Sequence, residues 1–283
     1  MDYAIEKDPP VVFLCQWNEW LVPFLTPHSV GAPKYNYHGH DICFRDEFNE
    51  EYSRDIEPMK GGYRDAYYLQ TVSFVRRFKG MEPPAKENEA HTLAINGDFA
   101  QWDAVEMTYR EYVGDCAPRD HSAYDAIGRY QNRTGRNEFS LLKVASDADM
   151  LYFYAECTAP ITAPAHANWM TLYLRNPERN APAWEGYQLA VNRAGFADDT
   201  ATVEVCSADG SYAWSEIARV SCVCRENRIH LALPKQLLGI EGESFSLEFK
   251  WSDNMQEPDV MDFYQNGDCA PRGRMNYVYY FEK

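Results

Sequence analysis

The sequence lacks the features that mark several large classes of protein. Its 8 cysteines include no CxxC pair and its 7 histidines are scattered, so no zinc site or redox motif is indicated. Acidic residues outnumber basic ones, 43 against 27, which gives a formal net charge of −16. Phosphate backbones and anionic membrane surfaces would repel such a chain, and we expect neither nucleic acid nor membrane as a partner.

Long apolar runs are missing as well. No stretch approaches the roughly 20 residues of a membrane span. The start, MDYAIEKDPP, has neither the basic segment nor the apolar core of a signal peptide. The default expectation is therefore a cytoplasmic protein, with an extracellular one not excluded. The cysteines are interpreted mostly as buried free thiols, because Cys222 and Cys224 would share one strand face and are badly placed for a mutual disulfide.

What the sequence does contain, from about residue 92 onward, is a series of short β-forming runs separated by turn residues. They cover 138–146, 150–157, 169–175, 186–192, 201–207, 218–224, 228–234, 244–251 and 275–281. A brief helical turn is expected at Lys235–Leu238. This spacing predicts an antiparallel β-sandwich over residues 92–283. In the third run, alternation puts Met170, Leu172 and Leu174 on one face and Trp169 on the other.

Residues 1–81 have a different pattern, and residues 82–91 are interpreted as a charged, proline-bearing linker. VVFLCQW (11–17) is typical of a strand buried on both faces. Arg64–Lys79 has a helical period, ended by Gly80 and then by two prolines. One strand–loop–helix unit leaves the strand unpaired, so we expect a second copy, another chain or the second domain to cover it. The predicted fold class is mainly β, a sandwich preceded by a short α/β segment.

Gln16-Trp17-Asn18-Glu19-Trp20 directly follows this predicted strand. With the later string RDIEP (54–58) and the tyrosine-rich helix, WNEW resembles the end of the barrel in glycoside hydrolase family 99-like proteins. The resemblance covers about residues 10–80 and implies that Glu19 is an active-site glutamate in a remnant of a TIM-type barrel. A full barrel takes around 250 residues, and hydrolysis normally needs a second group across the bond. We therefore expect Glu19 to be catalytic only if another polypeptide completes the barrel.

The second segment opens with Ile95-Asn96-Gly97-Asp98-Phe99, followed by Trp102. This string resembles the opening of family 9 carbohydrate-binding modules, and we assign Trp102 to the core. The resemblance implies a β-sandwich that holds a saccharide between aromatic rings and binds structural calcium. Turn carboxylates that could supply calcium with oxygen ligands are Asp147, Asp149, Asp198 and Asp199. No EF-hand spacing is present.

Three tryptophans stand at the starts or ends of predicted strands and are candidate sugar-stacking rings. Saccharides present apolar C–H faces to such rings and hydroxyls to amides, carboxylates and guanidinium groups. The candidates are Trp169, Trp184 and Trp251, with Asn254 as a polar partner. Two alternatives stay open: each ring packs in the core, or at least two of them meet at a ligand site.

One six-residue string occurs twice, as Gly114–Arg119 and as Gly267–Arg272, both GDCAPR. The first interpretation is two similar turns built on Gly-Asp and Pro. The second is that the two loops lie side by side and line a polar site with their Asp and Arg residues. The candidate binding residues are then Asp115, Arg119, Asp268 and Arg272.

Three hypotheses follow from the sequence. The chain is a non-catalytic carbohydrate-binding module-like protein with a saccharide as its ligand, or a fragment or subunit of a glycoside hydrolase, or a scaffold sandwich without a sugar site. Exposed tryptophans facing each other across a cleft favour the first hypothesis, and tryptophans packed inside remove most of that support.

Overall fold

The computed structural model describes residues 1–14, 24–25, 43–44, 56, 65–81, 84–122, 129–132, 135–164, 167–260 and 262–283. The chain divides into two compact units, Met1–Pro84 and Ala85–Lys283. Within the described ranges, no helix is both long and apolar enough to cross a membrane.

The described residues of the first unit form two helices and a short antiparallel strand pair. Its elements are α1 (Asp2–Lys7), β1 (Phe24–Leu25), β2 (Cys43–Phe44) and α2 (Ala66–Phe78). Helix α2 confirms the prediction over 64–79. It ends where Gly80 adopts a φ of 64°, a left-handed conformation that costs glycine nothing.

The buried strand predicted at residues 11–17 is wrong over its described part. Residues 11–14 have no regular secondary structure, and the side chains of Val11 and Phe13 are exposed. An apolar run is only a composition signal, whereas a strand also needs neighbours for its backbone groups. None of the described residues pairs with residues 11–14. Glu19 and the rest of the WNEW motif lie outside the described residues.

The second unit is an antiparallel β-sandwich, as predicted. Its strands are β3 (Thr108–Arg110), β4 (Arg119–Ser122), β5 (Arg129–Asn132), β6 (Phe139–Ser146), β7 (Met150–Cys157), β8 (Thr171–Arg175), β9 (Leu189–Ala197), β10 (Thr200–Cys206), β11 (Trp214–Arg225), β12 (Arg228–Pro234), β13 (Phe245–Asp253), β14 (Asp268–Ala270) and β15 (Tyr277–Phe281). Strands β4 and β5 form a separate hairpin. All nine predicted strands and the helical turn at Lys235–Leu238 are confirmed.

Eleven of these strands form one sheet, in the order β14-β13-β8-β9-β10-β11-β12-β7-β6-β3, with β15 also paired to β13. The sheet folds into two layers, and strand β11 belongs to both of them. Its residues 214–221 pair with β10 in one layer, and its residues 222–225 pair with β12 in the other. The layers close over a core in which Phe153 of β7 meets Phe249 of β13 edge to face, with ring centroids 6.0 Å apart.

Within the predicted linker, Glu87 is hydrogen-bonded to the C-terminal part of the sandwich. Its amide donates to the carbonyl of Tyr280 at 2.8 Å, and its carbonyl accepts from Glu282 at 2.9 Å. Glu87 therefore forms an isolated parallel bridge with Phe281, at the edge of the sheet beside β15. The charged composition that suggested a linker is compatible with an edge position, where one side of the backbone faces water.

The opening string is fastened to the sandwich by a buried histidine. Trp102 Nε1 donates to His230 Nδ1 at 3.0 Å, and His230 Nε2 lies 2.7 Å from the carbonyl oxygen of Asn96. Phe99 stacks on the same imidazole with a centroid separation of 4.2 Å. The assignment of Trp102 to the core is confirmed, since it is buried together with these residues.

Candidate functional site

The three candidate tryptophans are all buried. Their relative exposures are 2% for Trp169, 5% for Trp184 and 0% for Trp251. Trp169 and Trp251 belong to the main core between the layers, whereas Trp184 packs in a different cluster with Tyr173 and Phe263. The structure therefore does not bring these rings together across an open cleft, and the core alternative holds for each of them.

Trp169 was expected to point away from the face that carries Met170, and this expectation is wrong. Both residues lie in the main core. The reason is local: Asn168 and Met170 have φ values of 61° and 44°, so the pleat that alternates side chains has not yet begun. From Thr171 onward the alternation is as predicted, with Leu172 in the main core and Tyr173 on the opposite face.

Trp169 nevertheless lines a small cleft. The register between β9 and β10 shifts from Ala201–Phe196 to Val203–Val191, so the residues of β9 between these pairs bulge out of the ladder. The bulge and the loop before β8 enclose about 220 Å³. The lining residues are Pro164, Ala167, Trp169, Asn192, Ala194, Gly195 and Phe196.

Asn192 supplies the polar group of this cleft. Its side chain is 1% exposed, and its Nδ2 donates to the carbonyls of Trp169 and Met170 at 3.0 and 3.2 Å. Its Oδ1 has no hydrogen-bond partner among the described residues. A buried carbonyl oxygen without a partner costs free energy that a bound hydroxyl or water can recover.

The nearest charged side chain does not add charge to the cleft. Arg193 pairs with Glu204 at 2.5 Å and lies over the ring of Tyr212, with the guanidinium carbon 5.9 Å from the centroid. None of the lining residues that the structure describes is ionisable. The cleft is therefore suited to a neutral ligand.

The two GDCAPR loops lie side by side, which only the second sequence interpretation anticipated. Arg119 of the first copy donates to the carbonyls of Gln265 and Gly267, at 3.0 and 3.3 Å, where the second copy begins. Arg272 of the second copy reaches back to within 3.7 Å of Asp115 in the first. The arginine of each copy thus contacts the other copy. We call this reciprocal arrangement of residues 114–119 and 267–272 the clasp.

Most of the polar groups in the clasp are already used within the protein. Arg119 also donates to the carbonyl of Asp115. Both carboxylate oxygens of Asp268 accept backbone N–H bonds, from Phe139 at 2.7 Å and from Cys269 at 2.9 Å. Arg119 and Asp268 therefore hold the loops together and have little capacity left for a ligand.

Burial controls the ionisation of the groups at the clasp. Removal from water, reinforced by the nearby Asp115 carboxylate, raises the pKa of Asp268 to about 7. Burial also raises the pKa of Asp115, although Arg272 opposes that rise. Lys250, which donates to the carbonyl of Pro271, has its pKa lowered by burial.

Asp115 and Arg272 are the members of the clasp with unused capacity. The Asp115 Oδ1 atom has no hydrogen-bond partner among the described residues, although the side chain is only 3% exposed. The Arg272 side chain is 55% exposed, and its Nε lies beyond hydrogen-bond range of Asp115.

Tyr112 stands next to the clasp and was missed by the sequence analysis. It is 74% exposed, and Val113 and Gly114 form the turn that joins it to Asp115. The composition could not single it out among 20 tyrosines. The available signal was its position, since it lies two residues before the first copy of the repeated string.

Asn254 is placed in the interior. It is 3% exposed, and its amide donates to the carbonyl of Asn168 at 2.8 Å. The preceding Asp253 pairs with Arg136 at 2.9 Å and accepts from the amide of Met170 at 3.1 Å. These contacts fix the loop before β8, which carries Trp169.

Two of the four carboxylates predicted as calcium ligands, Asp147 and Asp199, are engaged by protein donors. Asp147 accepts hydrogen bonds from the amides of Asp149 and Met150 and from the hydroxyl of Tyr152. Asp199 is bound by both terminal nitrogens of Arg225, at 3.0 and 2.8 Å. Within the described ranges, no three His, Cys, Asp or Glu side chains group as metal ligands would.

Six cysteines whose side chains the structure describes are free, as predicted. They are Cys116, Cys157, Cys206, Cys222, Cys224 and Cys269. Burial raises the pKa of the Cys116 thiol to about 12 and that of the Cys269 thiol to about 11. These two free cysteines, one in each GDCAPR loop, therefore stay protonated. They act as small packing groups in the clasp.

Comparison with known proteins leaves the family of this chain open. The sequence matches no protein-family model and no curated protein. Among solved structures, a family 9 carbohydrate-binding module from Caldicellulosiruptor kristjanssonii in complex with glucose aligns with 70% of this chain and 94% of its own, at 14% identity and a TM-score of 0.35. A candidate carbohydrate-binding protein from Bacteroides uniformis ATCC 8492 aligns over 70% of this chain and 98% of its own length, at 10% identity and a TM-score of 0.32. These values are too low to assign a family or a function.

Proposed function

We propose that the domain of residues 85–283 is a carbohydrate-binding module-like sandwich that takes a neutral saccharide in the cleft beside Trp169. The observation that carries this proposal is the Asn192 Oδ1 atom, which has no partner among the described residues and lies in a cleft whose described lining includes two aromatic rings and no charged side chain. The opening string Ile95–Trp102, which resembles that of family 9 modules, agrees with the same ligand class.

The chemistry of the cleft suits one sugar ring. Phe196 is half-buried and offers apolar surface to C–H groups, while Asn192 Oδ1 accepts a hydrogen bond from a hydroxyl. Drug-sized ligands occupy pockets of about 300–1,000 Å³, and the 220 Å³ enclosed here fits a smaller molecule. We therefore expect a terminal or single sugar unit to enter rather than a chain to pass through.

Gly195 makes this proposal testable without disturbing the core. A Cβ added at Gly195 meets no heavy atom within 4 Å, and the residue lines the cleft. Gly195→Val should therefore fill the cleft in a folded protein. Gly97→Val is the matched control, because a Cβ at Gly97 also meets nothing within 4 Å and the residue lies in the opening string.

The experiment is isothermal titration calorimetry on the full chain with glucose, galactose, mannose and xylose and with β-linked gluco- and xylo-oligosaccharides. We expect Gly195→Val to abolish binding in the cleft and Phe196→Ala to weaken it about tenfold, the equivalent of 1.4 kcal/mol. Gly97→Val should bind like the unchanged chain. If no sugar of the panel binds, or if Gly195→Val binds with unchanged affinity, the proposal is wrong.

We propose binding without hydrolysis for this chain. The same oligosaccharides, incubated with the full chain and separated by chromatography, should be recovered intact. Their cleavage, abolished by Glu19→Gln, would instead support the glycoside hydrolase alternative.

A further inference from the structure

We propose that the clasp carries a second saccharide site, formed by Tyr112, Asp115 and Arg272. The ligand class rests on the proposed function, whereas the location is independent of the cleft beside Trp169. It gives the repeated GDCAPR string a role that the first site leaves unexplained.

The first element of this site is an exposed aromatic ring. Among the described residues of the sandwich domain, the large hydrophobic side chains that stay exposed are Tyr112, Val113 and Ile217. Tyr112 is the aromatic one of these, at 74% exposure, and Val113 follows it directly. A Tyr ring held in water at the tip of a turn offers a flat apolar face with a polar edge, the surface on which sugar rings stack.

The second element is a hydrogen-bond acceptor already removed from water. Asp115 Oδ1 is buried and has no partner among the described residues, so a hydroxyl can donate to it once the exposed Arg272 side chain beside this carboxylate moves aside. Tyr112 and Asp115 flank one tight turn, in which the first and last Cα atoms lie within about 7 Å. The Cα atoms of Tyr112 and Asp115 therefore lie close together, as a shared sugar site requires.

The third element is a donor that can move. Arg272 lies 3.7 Å from Asp115, and among the described residues its guanidinium makes no hydrogen bond. A long, exposed side chain of this kind can shift to admit a ligand and then donate to a neighbouring hydroxyl. One hydroxyl donating to Asp115 and the next accepting from Arg272 is the pattern that recognises a vicinal diol.

The rest of the clasp holds these groups in place. Arg119 ties the carbonyl of Asp115 to those of Gln265 and Gly267, so the loop with Tyr112 and Asp115 is fixed against the loop with Arg272. A site ordered before binding loses less entropy when the ligand arrives. The charges of Asp115 and Arg272 offset each other, which favours a neutral sugar over an acidic one.

The test is titration of the full chain with the same sugar panel, extended by glucuronic acid and by 2-deoxyglucose. We expect two binding events per chain, one of them abolished by Gly195→Val and the other weakened about 10- to 100-fold by Tyr112→Ala or Arg272→Gln. The matched controls are Ile217→Ala and Arg219→Gln, an exposed apolar residue and an exposed arginine elsewhere in the domain. Neither control should change either event.

The outcomes separate the two proposals. A single event that Gly195→Val abolishes and Tyr112→Ala leaves unchanged overturns the clasp site and keeps the cleft. A single event lost in Tyr112→Ala and Arg272→Gln but kept in Gly195→Val supports the clasp site and overturns the cleft. Tighter binding of glucuronic acid than of glucose overturns the neutral-diol chemistry, and an absence of binding across the panel overturns both proposals.

Discussion

His230 makes the stability of the sandwich sensitive to pH. Its imidazole is fully buried, and both ring nitrogens are engaged, Nδ1 accepting from Trp102 and Nε2 facing the carbonyl oxygen of Asn96. The ring is therefore neutral with its proton on Nε2. Protonation of Nδ1 would set two N–H donors against each other, and burial independently lowers the pKa of His230.

The direction of this pH effect on stability follows from the lowered pKa of His230. In the unfolded chain the imidazole has its ordinary pKa of about 6.5, whereas the folded value is lower. Between these values the unfolded state binds more protons, so the contribution of His230 to stability is complete above about pH 6.5 and decreases as the pH falls. The loss is at most about 1.4 kcal/mol per pH unit. For a domain of this size, each kcal/mol corresponds to roughly 2–4 °C in Tm.

The assay is urea denaturation of the unchanged chain and of His230→Gln, from pH 5 to pH 8. Gln keeps one donor and one acceptor but does not titrate. We expect the stability difference between the two proteins to shrink as the pH falls from 6.5 to 5, by at most about 1.4 kcal/mol per pH unit. A difference that stays constant over this range would refute the assignment of a neutral, doubly bonded His230. Comparing the two proteins is necessary because Asp268 titrates in the opposite sense over part of the same range.

Three further predictions concern the clasp and the buried tryptophans. The folded pKa of Asp268 is about 7, against an ordinary value near 4. Its contribution to stability is therefore largest below about pH 4 and is lost as the pH rises to 7. The loss of unfolding free energy caused by Asp268→Asn, measured by urea denaturation, should shrink from pH 5 to pH 8. Gly267→Ala should destabilise far more than Gly114→Ala, since its Cβ would lie 2.0 Å from the carbonyl oxygen of Asp253 whereas a Cβ at Gly114 meets nothing within 4 Å; equal Tm losses would contradict this contact. Trp251→Ala should cost about 3–5 kcal/mol in unfolding free energy, and a fully stable variant would show that this ring is not a core residue.

The sandwich was predictable because its long strands place successive side chains on opposite faces of the sheet, each packed against its own set of residues. Leu172, Tyr173 and Leu174 show this directly, since a period of two dictates their faces. Short strands carry too few residues for such a period, and β3, β4, β5 and β14, each three or four residues long, were missed. Trp169 was misplaced for a related reason: the left-handed backbone at Met170 is not visible in the order of residue types.

The candidate site was less predictable than the fold, because it depends on contacts between distant parts of the chain. The repeated string suggested that two loops could meet, but only the structure shows that Arg119 reaches Gly267 and that Arg272 reaches Asp115. It also shows that both carboxylate oxygens of Asp268 accept hydrogen bonds from backbone amides, which removes this residue from the set of ligand-binding candidates. Residue type identifies what a side chain could bind, whereas its remaining hydrogen-bond capacity is a property of the fold.

The abundance of aromatic residues has a structural explanation that narrows the choice of sugar-binding rings. Trp184, Tyr173, Tyr187 and Phe263 build a second apolar cluster on the face of the sheet away from the main core, with ring centroids 5.2–6.4 Å apart. These rings bury their surface against one another and have none left for a ligand. A stacking partner must instead be a ring that the fold leaves accessible, and next to unused polar atoms this condition is met by Phe196 in the cleft and by Tyr112 at the clasp. Substituting these two rings, rather than the tryptophans, is therefore the decisive way to separate binding from stability.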